Sequence, residues 1–468
     1  MKIKFGTDGW RAIIAKEFTV ENVERVAYGT AVWLKKSNAN PVITLGNDCR
    51  FAGKLFIEAV ARVMAAEGIK VYMCNTDFVS TPMISLATVN LKANAGIIIT
   101  ASHNPPEYNG FKIKASYGGP ATPAEITTVE ELIPDTYNNN SKSVEEYVQQ
   151  GLIEYVDMET MYLDHVEASF DMEAIRNSGL NLAYDAMYGA GQNVMRRILP
   201  DATFLHCDHN PGFDNQAPEP IHKNLTELSE MIKMAGNIDS ALATDGDADR
   251  IGLYDDQGNF VDSHHIILLL IHYLVKYKNK TGQVITTFSC TRKIDELCKA
   301  YGLKQQVTKI GFKYICEIMV EDKEPFLAGG EESGGIAITG HIPERDGIWI
   351  GLTVWEFMAK TGKSLRELIQ EVYDVVGSFA VERYDLHLEE SLKQTIITNC
   401  KTGKYTQFGN YKVTKVEDMD GFKFHLDNGG WVMIRPSGTE PVLRTYSEAS
   451  TSAESFNILD ATKATLLQ

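Results

Sequence analysis

Cysteine is scarce: the chain has 7 in 468 residues, scattered and with no C-x-x-C pair. That excludes a disulfide frame and a cysteine-built zinc site, and it suits free thiols in a reducing compartment. Long apolar runs are missing too. Nothing approaches the ~18 residues of a membrane span, and the run from Ile266 to Ile271 is short enough to be core. The first residues, MKIKFGTDGW, hold no apolar leader segment, so the expected location is the cytoplasm. Basic excess is absent as well. A formal net charge of −17 argues against nucleic-acid partners and against anionic membranes. A phosphorylated ligand would therefore need a locally basic site. Hydrophobic content of 44% and charged content of 23% are ordinary for a globular protein. The length is too great for one core and implies several domains.

What is present organises around residues 95–114, AGIIITASHNPPEYNGFKIK. Gly96 to Thr100 is a β-branched apolar run, the pattern of a buried strand. Pro105 and Pro106 forbid a helix after it, so Ser102 is expected on a rigid loop at a strand's carboxyl end, where open α/β sheets bind ligands. Asn109-Gly110 is a turn signal. Lys112 and Lys114 share one side of the following extended run. Ser102, His103 and Lys112 could hold a phosphate, or Ser102 could carry one covalently while His103 or Lys112 moves protons. A loop that is merely rich in Ser, Asn and Pro is the plain alternative.

Around this stretch the pattern is strand–loop–helix–strand, the grammar of a parallel sheet covered by helices. Helical periodicity spans 20–35, strands are expected at 41–45 and 69–73, and a helix at 54–66. Residues 118–145 suggest surface loops with a short acidic helix, and 152–166 a connection into a second domain. The grammar repeats from 180 to 244 and again from 284 onward. After Gly377 it changes to α+β: a strand at 380–388, a helix at 389–399, a meander over 411–434 and a final helix.

Thr244-Asp245-Gly246-Asp247-Ala248-Asp249-Arg250 carries three carboxylates at alternating positions, which repel unless a cation sits among them. A calcium EF-hand loop would need Gly and Glu where Arg250 and Asp256 stand, and helices for flanks. A small hard ion, Mg²⁺, with positions open to phosphate oxygen fits better than that loop or a solvated acidic turn. Arg11, in Gly6-Thr7-Asp8-Gly9-Trp10-Arg11, could contact phosphate or lie on the surface. Thr308, Lys309, Gly311 and Lys313 could grip a phosphate or be exposed. The glycine-rich loop with Glu331, Glu332 and Ser333 suits sugar hydroxyls or a hairpin turn. Arg435, Ser437, Gly438 and Thr439 crowd a proline-framed turn as an anion cradle, to which Arg444 could return.

The ordered set GTDGWRA, TASHNPPEYNGFKIK, DGDADR, GGEESGG and RPSGTEP resembles the α-D-phosphohexomutase superfamily, near bacterial phosphoglucomutases and phosphomannomutases. The resemblance spans nearly the whole chain. It implies α/β architecture: three mixed α/β domains plus a C-terminal α+β domain around a central active-site cleft. The implied domains are 1–160 with the phosphoserine loop, 161–256 with the metal loop, 257–370 with the sugar-binding loop and 371–468 with the phosphate-binding loop. A hinge near Gly377 would let the last domain close. The implied enzyme is a Mg²⁺-dependent intramolecular phosphotransferase, an isomerase. It would interconvert hexose 1- and 6-phosphates, of glucose and then mannose, with a hexose 1,6-bisphosphate as intermediate and activator. Ser102 would carry the phosphoryl group, and its oxygen with Asp245, Asp247 and Asp249 would bind Mg²⁺. Arg11, His103 and Lys112 would surround the transferring group. Arg250, Thr308, Gly311, Lys313, Glu331 and Ser333 would contact substrate, the last two through sugar hydroxyls. Arg435, Ser437, Gly438, Thr439 and Arg444 would hold the other phosphate. The partner is thus a phosphosugar, with no nucleic acid or membrane. Two departures stand out: some relatives carry His where this chain has Gly335, and dual-specificity members carry Lys where it has Ser289. A phosphoglucosamine mutase is the alternative within the class, and a metal-dependent sugar phosphatase the alternative outside it.

Overall fold

The computed structural model describes residues 2–436 and 442–468. The chain forms four domains, three with mixed α/β sheets and a C-terminal one with an antiparallel sheet. Two compact bodies are present: the chain up to Gln283 with Gly311–Leu368, and Val284–Ile310 with Ile369–Gln468.

In the first body, a six-stranded sheet runs in the order β1 (Trp10–Ile13), β5 (Tyr108–Ala115), β4 (Ala95–Ile99), β2 (Val42–Asn47), β3 (Lys70–Cys74), β6 (Ile153–Val156). β4, β2, β3 and β6 are parallel, while β5 is antiparallel to both β4 and β1. Helices α1 (Val20–Ser37), α2 (Gly53–Ala66), α3 (Thr81–Asn90), α4 (Pro123–Leu132) and α5 (Val144–Gln149) accompany the sheet. α1 shows why such a segment folds. Thr19 caps it by accepting from Asn22 N, and Val23, Val26, Ala27, Thr30, Ala31 and Leu34 bury one face at helical spacing.

Three expectations need correction here. Asn109 and Gly110 do not turn. They sit within β5, opposite Ala12 and Arg11, because glycine lets three backbones close up. A Cβ on Gly110 would lie 2.4 Å from Thr100 O and 2.7 Å from Trp10 O. Gly110→Ala should therefore cost about 3 kcal/mol, read as an earlier midpoint in chemical denaturation. Residues 118–145 hold two helix starts, each opened by a capping box: Thr122 with Glu125, and Ser143 with Glu146. The segment 152–166 is not merely a connection, since Ile153–Val156 pairs with β3 as a sheet strand.

Helices α6 (Met158–Ser169) and α7 (Met172–Arg176) lead into a five-stranded sheet. Its order is β11 (Phe260–Val261), β10 (Ile251–Tyr254), β9 (Ser240–Thr244), β7 (Leu182–Asp185), β8 (Thr203–Leu205). α8 (Gln192–Ile198) and α9 (Thr226–Ala235) complete the βαβ pattern. β9 and β10 are antiparallel with Thr244 opposite Ile251, so residues 245–250 form the tight connection between two fully buried strands. α10 (Ser263–His272) is buried on nearly all sides.

The second body contains the parallel pair β12 (Gln283–Thr287) and β13 (Gln305–Thr308), joined through α11 (Lys293–Tyr301). The first body contains α12 (Phe312–Glu321), the antiparallel hairpin β14 (Phe326–Gly330) and β15 (Ile336–Ile338), and α13 (Gly347–Thr361). Beyond α14 (Leu365–Val376) the C-terminal sheet is wholly antiparallel. Its order is β16 (Ala380–His387), β21 (Val442–Ala449), β20 (Trp431–Pro436), β19 (Phe422–Leu426), β18 (Tyr411–Glu417), β17 (Gln407–Phe408). α15 (Glu390–Lys401) and α16 (Ser452–Leu466) accompany it. Phe408, Phe424, Val432, Ile434, Leu443 and Ile458 form its core.

Candidate active site

The carboxyl end of β4 delivers Ser102. The residue is 1% exposed, and its φ of 51° lies in the left-handed region, a conformation a serine keeps only where its surroundings impose it. Its Oγ donates to Asp245 Oδ2 at 2.6 Å and lies 3.3 Å from His103 Nδ1. Asp245 Oδ1 accepts from the main-chain N–H groups of Asp249 and Arg250, each at 3.0 Å. The β9–β10 connection thus bends back on its own first carboxylate.

Asp245, Asp247 and Asp249 are buried, and one carboxylate oxygen from each lies within 4.8 Å of the others. Lys112, from β5, reaches this group from the neighbouring sheet. Its Nζ is 2.7 Å from Asp247 Oδ2, 3.2 Å from Asp249 Oδ2 and 2.8 Å from Asp8 Oδ2. Thr81 Oγ1, at the start of α3, donates to Asp247 Oδ2 at 2.6 Å. The remaining oxygens, Asp247 Oδ1 and Asp249 Oδ1, are buried and accept no hydrogen bond. Two orphaned carboxylate oxygens beside a third carboxylate fit a hard cation with oxygen ligands.

The field at His103 is positive. Burial lowers the His103 pKa well below the usual histidine value, and Arg250, Arg11, Lys112 and Arg50 push it further down. Its imidazole is neutral at pH 7. Lys112 goes the other way: the carboxylates of Asp247, Asp249 and Asp8 outweigh its burial and raise its pKa, keeping it an ammonium. Arg11 Nη1 donates to Asn104 Oδ1 at 2.7 Å, on the loop after Ser102, and its Nη2 is 3.6 Å from Asp8 Oδ2. Arg250 Nη1 lies 3.7 Å from Glu219 Oε1.

Sequence reasoning missed Arg345. This buried guanidinium joins Asp249 Oδ2 at 2.6 Å and Asp8 Oδ2 at 2.7 Å, and its Nη1 is 3.7 Å from Glu331 Oε2. Asp8, in the sequence only part of a glycine-framed turn, is the second residue missed. Burial raises the Glu331 pKa to about 7 against the opposing pull of Arg345. Gly335 makes room for the arginine: a Cβ there would come 2.5 Å from Arg345 Cδ. Gly335→Ala should push Arg345 off the carboxylates, lower kcat/KM by about 10- to 100-fold and lower the unfolding midpoint, since it leaves buried charges short of a partner. Lys114 is also buried, on Glu344 Oε2 at 2.5 Å.

Ser102, His103, Lys112, Arg11, Asp245, Asp247, Asp249, Arg250 and Glu331 thus belong to one neighbourhood of the first body. Ser333 lies in the β14–β15 connection with Glu331. Gly311, with φ 132°, precedes α12, and Lys313 in its first turn sits 5.4 Å over the Tyr314 ring. Thr308 ends β13 in the second body. There Arg435 and Arg444 are direct cross-strand partners on β20 and β21; Arg435 Nε lies 3.6 Å from Asp420 Oδ1, and Asp385 on β16 is the other cross-strand partner of Arg444. Ser437, Gly438 and Thr439 lie outside the described residues. No helix among the described residues is long and apolar enough to cross a membrane.

Comparison with known proteins fits this geometry. Residues 2–140, 160–258 and 262–376 match the phosphoglucomutase/phosphomannomutase alpha/beta/alpha domains I, II and III, and 400–463 match its C-terminal domain. A phosphoglucomutase/phosphomannomutase of Thermococcus kodakarensis is 29% identical over 461 residues, covering 97% of this chain and 96% of its own. A probable phosphoglucosamine mutase of Methanosphaera stadtmanae is 30% identical over 451 residues, 96% and 94% of the two chains. The crystal structure of a putative phosphomannomutase from Thermus thermophilus superposes with a TM-score of 0.88 at 30% identity, covering 100% of both chains. These are the marks of an enzyme that moves phosphoryl groups on sugars. The chain belongs to the α-D-phosphohexomutase superfamily, within the phosphoglucomutase/phosphomannomutase family, and is a mutase of the isomerase class.

Proposed function

We propose that the enzyme interconverts hexose 1-phosphates and hexose 6-phosphates, glucose first and mannose next, through a phosphoserine at Ser102 and a hexose 1,6-bisphosphate. The observation that carries this reading is Ser102 Oγ seated on Asp245 beside two carboxylate oxygens that accept nothing. Mg²⁺ would be held by Asp245, Asp247, Asp249 and a phosphoserine oxygen, and would supply charge neutralisation at the phosphoryl oxygens. The domain borders are proposed near residues 160, 256 and 370.

In the forward half, a hydroxyl of the sugar phosphate attacks the phosphorus and gives up its proton, the bond from phosphorus to Ser102 Oγ breaks, and the serine oxygen takes a proton from His103. In the return half, Ser102 Oγ attacks the other phosphate of the bisphosphate, the bond from that phosphorus to the sugar oxygen breaks, and the sugar oxygen takes up a proton and leaves as a hydroxyl. The serine proton leaves to His103, the neutral base 3.3 Å away. Lys112, whose Nζ lies within 3.2 Å of Asp8, Asp247 and Asp249, is proposed to add positive charge beside the transferring group. Arg11 and Arg250 add positive charge. Glu331, titrating near neutrality, is proposed with Ser333 to hold sugar hydroxyls. Gly311 and Lys313 are proposed substrate contacts in the same body. Thr308 has that role in the second body, where Arg435 and Arg444, with Ser437, Gly438 and Thr439, would bind a phosphate.

A phosphoglucosamine mutase is the second reading, because relatives at 28–30% identity bear that name. The test is ³¹P NMR of the purified enzyme with Mg²⁺ and a trace of glucose 1,6-bisphosphate. Glucose 1-phosphate, mannose 1-phosphate and glucosamine 1-phosphate are supplied separately. Conversion of glucose 1-phosphate fastest supports the proposal, and glucosamine 1-phosphate fastest transfers it to the second reading. Release of inorganic phosphate alone would make the protein a phosphatase and overturn both.

A further inference from the structure

One side chain ties the Ser102 loop down from behind. Arg50 lies just after β2 and is 3% exposed. Its Nη1 donates to the carbonyls of Pro105 at 2.8 Å and Tyr108 at 2.9 Å, and its Nη2 to those of Ser102 at 2.7 Å and Asn104 at 2.6 Å. Nε lies 3.3 Å from Asp48 Oδ2, and the guanidinium sits 5.0 Å from the centre of the Phe213 ring. A planar fork can serve four carbonyls at once, whereas an ammonium is a point charge with three donors.

A second path reaches the same loop. Asp48 Oδ1 accepts from Arg50 N at 3.0 Å, and Oδ2 accepts from Thr100 Oγ1 at 2.5 Å. Thr100 Oγ1 in turn accepts from Ser102 N at 2.9 Å. The Ser102 carbonyl is also pressed from the far side, since a Cβ on Gly246 would approach it to 2.5 Å. A serine in the left-handed region persists only when its surroundings over-determine it, and these bonds do so. Among the described residues, the Arg50 guanidinium donates its hydrogen bonds to main-chain carbonyls.

We propose that Arg50 is a positioning residue for phosphoryl transfer: it holds Ser102 in the left-handed conformation that aims Oγ at Asp245, with Asp48 and Thr100 keeping it in place. The inference rests on the mutase reading. The experiment compares the full-length parent with Arg50→Lys and Thr100→Val. It measures kcat and KM for glucose 1-phosphate and the single-turnover transfer from glucose 1,6-bisphosphate to Ser102, followed by intact mass. Arg50→Lys should lower kcat and the transfer rate by the same roughly 100-fold, with KM within about threefold of the parent. Thr100→Val should show the same split at about tenfold. Methylguanidinium should restore part of the rate to Arg50→Ala. A kcat for Arg50→Lys close to the parent's overturns the proposal, as does a loss carried by KM. If Arg50→Lys does not fold, an unchanged kcat in Thr100→Val overturns it. A parent inactive on every hexose phosphate overturns the mutase reading itself, whereas an active parent matched by the variants overturns only this inference.

Discussion

Ser102→Ala should lower kcat by at least about 10⁴-fold, or roughly 5 kcal/mol in the barrier. The protein should also lose the phosphoryl group that intact mass would detect on the parent. Few single changes in the chain should match this, because the covalent route disappears and nothing else near Asp245 can take its place. The loss should not come from unfolding. Alanine at φ 51° is no more strained than serine. Asp245 keeps its two main-chain donors, from Asp249 and Arg250, so the lost hydrogen bond costs about 1–3 kcal/mol. An unfolding midpoint lowered by no more than that cost, together with absent activity, is the expected pair of results.

The second large effect separates two aspartates that look equivalent in the sequence. Asp245→Asn and Asp247→Asn should each lower activity by about 10³-fold or more, as should chelation of the parent, because each removes charge from the proposed cation site. Their effects on stability in chelator should have opposite signs. Burial and then the neighbouring carboxylates of Asp247 and Asp249 raise the Asp245 pKa well above its usual value. A raised carboxyl pKa means that the folded state binds the proton more tightly, so stability falls as pH rises past the unfolded value. Asparagine at 245 removes that penalty and should raise the midpoint at neutral pH. Asp247 is also buried, but Lys112 and Thr81 outweigh the burial and hold its pKa below the usual range. Its carboxylate contributes stability above the unfolded value, lost as pH falls. Asparagine there leaves Lys112 short of a partner and should lower the stability by about 3 kcal/mol, and the midpoint with it. Urea denaturation of both variants at pH 7 in chelator checks the pair of signs.

Much of this site was legible in the sequence because its chemistry is concentrated in short segments. A serine after a β-branched run, and three aspartates between two apolar strands, stand out within a few residues. What stayed hidden was long-range. Asp8 and Arg345 meet across 337 positions, and Lys114 and Glu344 across 230. Neither pair has a local signal beyond a charge beside a turn or in a strand. Arg50 reads as a loop residue because its partners are backbone carbonyls, which any sequence supplies. The missed helices have a different cause. α3 and α13 bury residues all around their circumference, so no polar stripe marks the helical period. α4 was legible in principle through Thr122, Pro123 and Glu125, a start signal obscured by polar surroundings. Asn109-Gly110 misled because the same pair that favours a turn also lets β1, β5 and the backbone at Thr100 approach closely.

The most direct test of the account is to load Ser102 with a ³²P-labelled phosphoryl group and follow it through one turnover with unlabelled glucose 1-phosphate and Mg²⁺. The account predicts that the label leaves the protein within that turnover and appears in the sugar as glucose 6-phosphate or the 1,6-bisphosphate. Label that remains on the protein while glucose 6-phosphate forms, or that leaves only as inorganic phosphate, would contradict it.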